Sequence, residues 1–302
     1  MVSLRGRLFY GAMKLFFRGI LPTGLSLKTY RKISNQPFFE RMPRGIGWTV
    51  GSIAQVDGEW ITPSTPNSVS NGVLLYLHGG GYALKTPRVH RVLVGRLAKA
   101  AGVTAFMPDY RLAPEHPFPA ALDDVTAVYR ELRRTMPGQI IIAGDSAGGG
   151  LTAALLLKLR DAGDPLPAAA CLISAMLDCT FVDASEAERR KRDPFLRLPD
   201  VAMMAKGYYG DHDPRDPLIS PVFANLRGLP PLLIYASQDE ILRPEAVRYT
   251  ECAKSAGVEA TLKIWEGMIH AFPLFAGFVP EGKTAIHEIG AFFCSHLTRE
   301  VV

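Results

Sequence analysis

Ser146 stands in Gly144-Asp145-Ser146-Ala147-Gly148-Gly149, directly after the apolar run Ile140-Ile141-Ile142-Ala143 and before the helix-like stretch from Leu151 to Leu157. A serine at the apex of so tight a strand-to-helix turn is a nucleophile held out from the backbone, and Gly144 and Gly148 remove the side chains that would collide there. Upstream, His78-Gly79-Gly80-Gly81-Tyr82 follows a second apolar run, Val73 to Leu77. Consecutive glycines leave backbone N–H groups free to meet an oxygen that becomes negative during acyl transfer. Gly79 and Gly80 are the expected donors from that loop, with the N–H of Ala147 as a third. Neither glycine run has the Lys-Ser/Thr ending of a phosphate-binding loop or the G-x-G-x-x-G spacing of a dinucleotide site. His78 is read as a brace for the loop.

A serine nucleophile needs a base, and the base needs an acid to orient it. Of the histidines after Ser146, His287 and His296 fall in an amphipathic C-terminal helix and His212 in a polar, proline-rich stretch. His270 follows the strand-like run 260–265 by a short loop and is the expected base. The acid is expected at the end of the strand-like run 232–236, where Asp239 and Glu240 lie side by side. Residue types alone leave both open.

Taken together, the glycine loop, the serine elbow, Asp109-Tyr110-Arg111-Leu112-Ala113-Pro114-Glu115-His116-Pro117, Asp216-Pro217-Leu218-Ile219-Ser220-Pro221 and the His270 loop resemble the hormone-sensitive-lipase-like family of α/β-hydrolases, the bacterial family IV carboxylesterases. The resemblance spans about residues 70–298 and implies an α/β-hydrolase fold, a mostly parallel sheet flanked by helices with a helical cap. It implies a serine carboxylesterase for short-to-medium acyl chains, needing no cofactor and no metal. In that family the acid opens an acid-x-Leu triplet about thirty residues before the histidine. Here the register falls on Glu240-Ile241-Leu242, so Glu replaces the usual Asp and Asp239 is the alternative. Tyr82 stands where many relatives carry Phe or Trp, at the edge of the expected pocket. An amidase or formamidase could use the same triad. A non-catalytic ligand receptor on this fold would lack the histidine that His270 supplies.

The rest of the chain must position these groups. The 302 residues are 48% hydrophobic and 21% charged, which suits one soluble α/β domain. Strands are expected near 73–77, 103–107, 140–143, 169–174, 232–236 and 260–265, alternating with helices near 88–101, 119–135, 147–162, 244–257 and 284–298. Such alternation favours a parallel sheet with helices on both faces. Asn71-Gly72 reads as the turn that launches the first of these strands. The catalytic domain is assigned to 45–302, with a cap insertion at about 178–212. Within it Phe195, Met203, Met204 and Tyr208 are expected to roof the pocket, and the basic run 188–192 to lie on a solvated helix face.

Residues 1–44 carry nine Lys/Arg and one acid, a net +8 against about −3 for the remainder. At roughly 100° per residue, Arg7, Lys14 and Arg18 share one side of a helix and Leu8, Ala12, Leu15 and Phe16 another. The family resemblance implies that this segment is an N-terminal helical cap over the active site, with docking to a membrane surface as the weaker reading. Nucleic acid is not an expected partner, a small ester is, and a homodimer is left open. No apolar stretch is long enough to span a bilayer. Cys171, Cys179, Cys252 and Cys294 lack metal-like spacing and are expected to be buried free thiols in a reducing compartment, the cytoplasm.

Overall fold

The computed structural model describes residues 2–22, 24–34, 42–64, 72–136, 138–182 and 193–297. The basic run 188–192 and Asn71 lie outside them. Eight strands form one sheet in the order β1-β2-β4-β3-β5-β6-β7-β8. They are β1 (Ile46–Ile53), β2 (Val56–Pro63), β3 (Val73–Leu77), β4 (Thr104–Pro108), β5 (Ile140–Asp145), β6 (Ala169–Ile173), β7 (Leu232–Ser237) and β8 (Ala260–Trp265). From β4 through β8 every neighbouring pair is parallel, while β1 and β2 join as an antiparallel hairpin and β2 lies antiparallel to β4.

The central strands are apolar along their whole length because both sheet faces are covered. Side chains of β3 alternate between two cores. Val73, Leu75 and Leu77 face α4 (Ala120–Thr135), α5 (Ala147–Ala162) and α7 (Arg243–Ser255). Leu74 and Tyr76 face α3 (Pro87–Ala101) and α8 (Pro280–His296). The last two helices come close enough that a Cβ at Gly290 would sit 2.5 Å from that of Ala100. Removing one fully buried leucine from such a core costs about 2–5 kcal/mol, so the scaffold beneath the loops is rigid.

The hairpin β1–β2 was not among the expected strands. Its turn is Ala54-Gln55, with φ of 49° and 67°. A two-residue turn with both φ positive is normally signalled by Asn-Gly or Asp-Gly, and this sequence withholds that signal. The cysteines need a correction too. All four are free thiols, but only Cys171 and Cys179 are buried; Cys252 and Cys294 are exposed.

Three helical pieces lie above the carboxyl ends of the strands or beside them. The first is α1 (Leu4–Lys14), continued by a π-helical turn over Leu15–Ile20; the second is α2 (Leu27–Ser34). The third, α6 (Leu198–Tyr209), lies in the insertion after β6. Among the described residues no helix is long and apolar enough to cross a membrane.

Candidate active site

The chain leaves β5 at Asp145 and enters α5 at Ala147, so Ser146 makes the whole turn alone. Its backbone sits at φ 54°, ψ −124°, a region that costs a residue with a side chain about 1–3 kcal/mol. The neighbours hold it there: its N–H donates to Ile173 (2.9 Å), and its carbonyl accepts from Gly150 (3.1 Å) and Met176 (2.9 Å). A Cβ at Gly144 would overlap the Gly148 carbonyl, and one at Gly148 would overlap that of Leu77. The two glycines are what let the turn close.

The glycine loop after β3 is bound to the same elbow. Asp145 is fully buried, and its Oδ1 accepts from the N–H of Gly79 (3.0 Å) and the hydroxyl of Tyr76 (2.8 Å). His90 Nε2 lies 3.1 Å from the same oxygen, while its Nδ1 lies 2.8 Å from the Thr86 hydroxyl. Burial opposes charge on both members of this pair. The mutual attraction outweighs it, raising the His90 pKa above its ordinary value and lowering that of Asp145.

The glycine loop therefore corrects one expectation. The N–H of Gly79 is already spent on Asp145 and cannot also meet a substrate oxygen. Gly80 (φ 126°) and Gly81 (φ 61°) adopt left-handed backbone and line the cavity with Ser146. His78 stays out of the cavity: its ring stacks on Tyr110 (centroids 4.4 Å apart), and its Nδ1 lies 2.8 Å from the Gly79 carbonyl. Burial, helped by the neighbouring His90, depresses its pKa to about 3, so it is neutral and braces the loop.

His270 lies on the loop beyond β8, and Glu240 on the turn beyond β7. His270 Nδ1 is 2.9 Å from Glu240 Oε2, and the other carboxylate oxygen accepts from the N–H of Ser237 (3.0 Å). Both residues are buried. The histidine loop is pinned on either side of the ring. The Ile269 carbonyl accepts from Ser237 Oγ (2.7 Å), and the N–H of Ala271 donates to Ser174 Oγ (3.0 Å). With Nδ1 committed to Glu240, Nε2 is the nitrogen left for chemistry. Asp239, one residue away, is only half-buried and accepts from the Tyr10 hydroxyl at 3.0 Å. Of the two adjacent carboxylates, the structure brings Glu240 to the histidine.

Ser146, His270, Gly80 and Gly81 share a cavity of about 250 Å³. Its walls are mainly apolar: Leu84, Met176, Val201, Met204 and Leu274 from the body and insertion, Phe17, Leu21 and Ile33 from the N-terminal segment. A serine on a strained elbow, a histidine oriented by a buried acid and a glycine loop beside them make an acyl-transfer site.

Residues 74–274 match the family described as the alpha/beta hydrolase fold. An acetyl-hydrolase of Streptomyces hygroscopicus is 42% identical over 245 residues, which cover 80% of this chain and 81% of that one. A crystal structure of an esterase from the bacterial hormone-sensitive lipase family superposes with a TM-score of 0.89 at 36% identity, covering 98% of this chain and 99% of that one. The chain belongs to the bacterial hormone-sensitive lipase family and is a carboxylesterase. A further neighbour, EstE5, was soaked with p-nitrophenyl butyrate (TM-score 0.90, 37% identity, 97% and 99% covered). The same protein has also been solved with PMSF (TM-score 0.87, 37% identity, 96% and 98% covered).

In this esterase the insertion lines the cavity in part with residues other than those expected, Leu196, Arg197, Asp200 and Val201. Phe195 and Met204 line it, and the Phe195 ring lies 5.9 Å from that of His270, nearly parallel. Met203, the next residue on α6, points the other way and is 43% exposed. Tyr82 and Tyr208 are buried against each other, with centroids 3.6 Å apart, and belong to the hydrophobic core and not to the cavity wall. These three assignments to the pocket are corrected. Met203 lies about 100° around α6 from Met204, on the exposed side of the helix, while Tyr82 and Tyr208 are turned onto each other.

Other contributors carried no sequence signal. Arg18 Nε donates to the Asp193 carbonyl (2.8 Å) and its Nη2 to the Leu196 carbonyl (2.7 Å). In return Arg197 Nη2 donates to the carbonyls of Phe17 and Leu21. Two arginines thus stitch the N-terminal segment to the insertion over the cavity. Asp193 is buried and accepts from the N–H groups of Phe195, Leu196 and Ile241 (2.8, 2.8 and 2.9 Å). Burial lifts its pKa to about 6 against those hydrogen bonds. The pairing of such residues depends on contacts over 150 positions apart in sequence, which no local pattern records.

Proposed function

We propose that this carboxylesterase hydrolyses esters of short-to-medium acyl chains through an acyl-enzyme on Ser146. The observation that carries the reading is the His270 Nδ1–Glu240 Oε2 hydrogen bond, which orients the imidazole at the cavity that Ser146 also lines. His270 Nε2 takes the Ser146 hydroxyl proton as Oγ bonds to the ester carbonyl carbon. The resulting oxyanion is met by the N–H groups of Gly80, Gly81 and Ala147. Collapse breaks the bond to the alcohol, which leaves with the proton from His270. Water then repeats the sequence, giving its proton to His270 while its oxygen attacks the acyl carbon, and Ser146 leaves with that proton.

The mainly apolar lining suits the hydrocarbon parts of such an ester, and the cavity's modest volume favours short acyl groups. The N-terminal segment and the insertion act together as the cap, with 45–302 as the catalytic unit. Free thiols at all four cysteines fit work in a reducing compartment, the cytoplasm. The test is labelling with PMSF followed by peptide mass spectrometry, together with turnover of p-nitrophenyl butyrate and its anilide analogue. We expect one adduct, on Ser146, and a loss of roughly 10⁴–10⁶-fold in Ser146→Ala. An adduct elsewhere or a fully active Ser146→Ala refutes the mechanism, and faster cleavage of the anilide makes the enzyme an amidase.

A further inference from the structure

The N-terminal helix has an unusual exterior. Its inner face is fully engaged with the body. The Ser3 N–H donates to Glu281 Oε1 (2.6 Å), Gly6 is buried beside Met268 and Glu281, Phe9 packs on Phe275 (5.2 Å between centroids), and Tyr10 reaches Asp239. The outward face is therefore fixed, and it carries leucine. Leu4 is 73% exposed, Leu8 65% and Leu15 64%, with Phe16 and Ile20 continuing the exposed apolar surface through the π-helical turn.

At 100° per residue Leu4, Leu8 and Leu15 fall within roughly 40° of one another, with Arg5 on one flank and Arg7 and Lys14 on the other. All three basic residues are exposed. No acid occurs before Glu40, so nothing on the helix offsets them. Ordinary surface helices place single apolar residues among mixed charges. An exposed leucine stripe between cations of one sign has the pattern of a helix lying in a lipid interface.

We propose that the face of α1 and its π-helical continuation formed by Leu4, Leu8, Leu15 and the flanking Arg5, Arg7 and Lys14 docks this enzyme onto an anionic lipid bilayer. The leucines enter the headgroup boundary and the cations meet the lipid phosphates. The one-sided charge selects a bilayer over a second copy of the chain, because two such faces would bring like charges together across the contact. The π-helical turn that continues α1 supplies Phe17 to the cavity wall and Leu21 follows it there. An ester dissolved in the bilayer therefore reaches the enzyme beside its substrate cavity. That consequence rests on the catalytic reading above; the docking itself does not.

The test is co-sedimentation of the full chain with vesicles of phosphatidylglycerol or of phosphatidylcholine, across a salt series. We expect binding at least tenfold stronger to phosphatidylglycerol, weakening with salt. Arg5→Glu/Arg7→Glu/Lys14→Glu should lose at least about a hundredfold, since each cation near an anionic surface contributes about fivefold and the new carboxylates are repelled. Leu4→Ser/Leu8→Ser/Leu15→Ser should lose at least tenfold. Both variants should turn over dissolved p-nitrophenyl butyrate like the parent, which shows them folded and separates loss of docking from loss of catalysis. Equal binding to both vesicles, no binding to either, or binding unchanged in both variants overturns the proposal. So does a dimer in solution that the leucine variant dissociates while neither form binds phosphatidylglycerol.

Discussion

His270 is pulled two ways. Burial disfavours the imidazolium, while the hydrogen bond and charge of Glu240, with Asp193 and Asp145 further off, favour it and win, so its pKa is raised above 6.5. A general base must be neutral, so raising its pKa moves the acid limb of the rate profile upward. The acid limb of kcat/KM for p-nitrophenyl butyrate should therefore lie above pH 6.5, as measured by initial rates across a buffer series. Glu240→Gln removes the largest stabilising influence on imidazolium. Its residual activity should show that limb at lower pH, with turnover down about 10⁴-fold as for the amide of a triad acid. Asp239→Asn should lose far less, because that carboxylate serves Tyr10. If Asp239→Asn is the dead variant, the acid has been misassigned. Sequence left these two carboxylates as neighbours of equal type, and only the turn that folds Glu240 back onto the Ser237 N–H separates them. The three loop glycines are likewise indistinguishable in sequence. Which amide is free was decided by Asp145, 66 positions away.

Among the elements, the β5–α5 junction carries the greatest constraint. Ser146 holds a backbone conformation that costs energy, and the compensation is the close approach of α5 to β3 through Gly148. Gly148→Ala puts a methyl group onto the Leu77 carbonyl, and neither backbone can retreat from a buried sheet. We expect loss of more than 3 kcal/mol, or no soluble protein. Gly163 caps the other end of α5 at φ 73° with open space around it. Gly163→Ala should cost only about 1 kcal/mol, the penalty of left-handed backbone alone. Urea denaturation of both variants checks the contrast, and a stable Gly148→Ala would mean the junction is looser than the structure has it. This junction was legible in sequence because its signals are local: an apolar run, two spaced glycines, then a helix former. The parallel strands and their helices were legible for the same reason. The β1–β2 hairpin was not, since Ala54-Gln55 carries no turn chemistry and its conformation is imposed by pairing with β4 through β2.

At the scale of the whole molecule, the cavity is completed by segments that belong to no strand of the sheet. The N-terminal segment is held by α1 against α8, by the exchange of Arg18 and Arg197 with the insertion, and by Arg31 on α2. Arg31 Nε and Nη2 donate to the carbonyls of Ala83 and Ala113 (both 3.0 Å), and its guanidinium also forms a bidentate pair with Glu115. Half-exposed Glu115 adds little to stability in water, so the two carbonyl bonds carry the anchor. Tyr30 and Ile33, on either side of Arg31, line the cavity, yet none of Arg31's partners is Ser146, His270 or Glu240. Arg31→Ala should therefore act on binding and spare the chemistry. Losing about 1–2 kcal/mol of anchoring should raise KM for p-nitrophenyl butyrate roughly tenfold and leave kcat within about twofold. Steady-state kinetics on the variant decides it. A fall in kcat at unchanged KM would show that the N-terminal segment positions the reacting groups themselves, and that the cap and the catalytic centre are one mechanical unit.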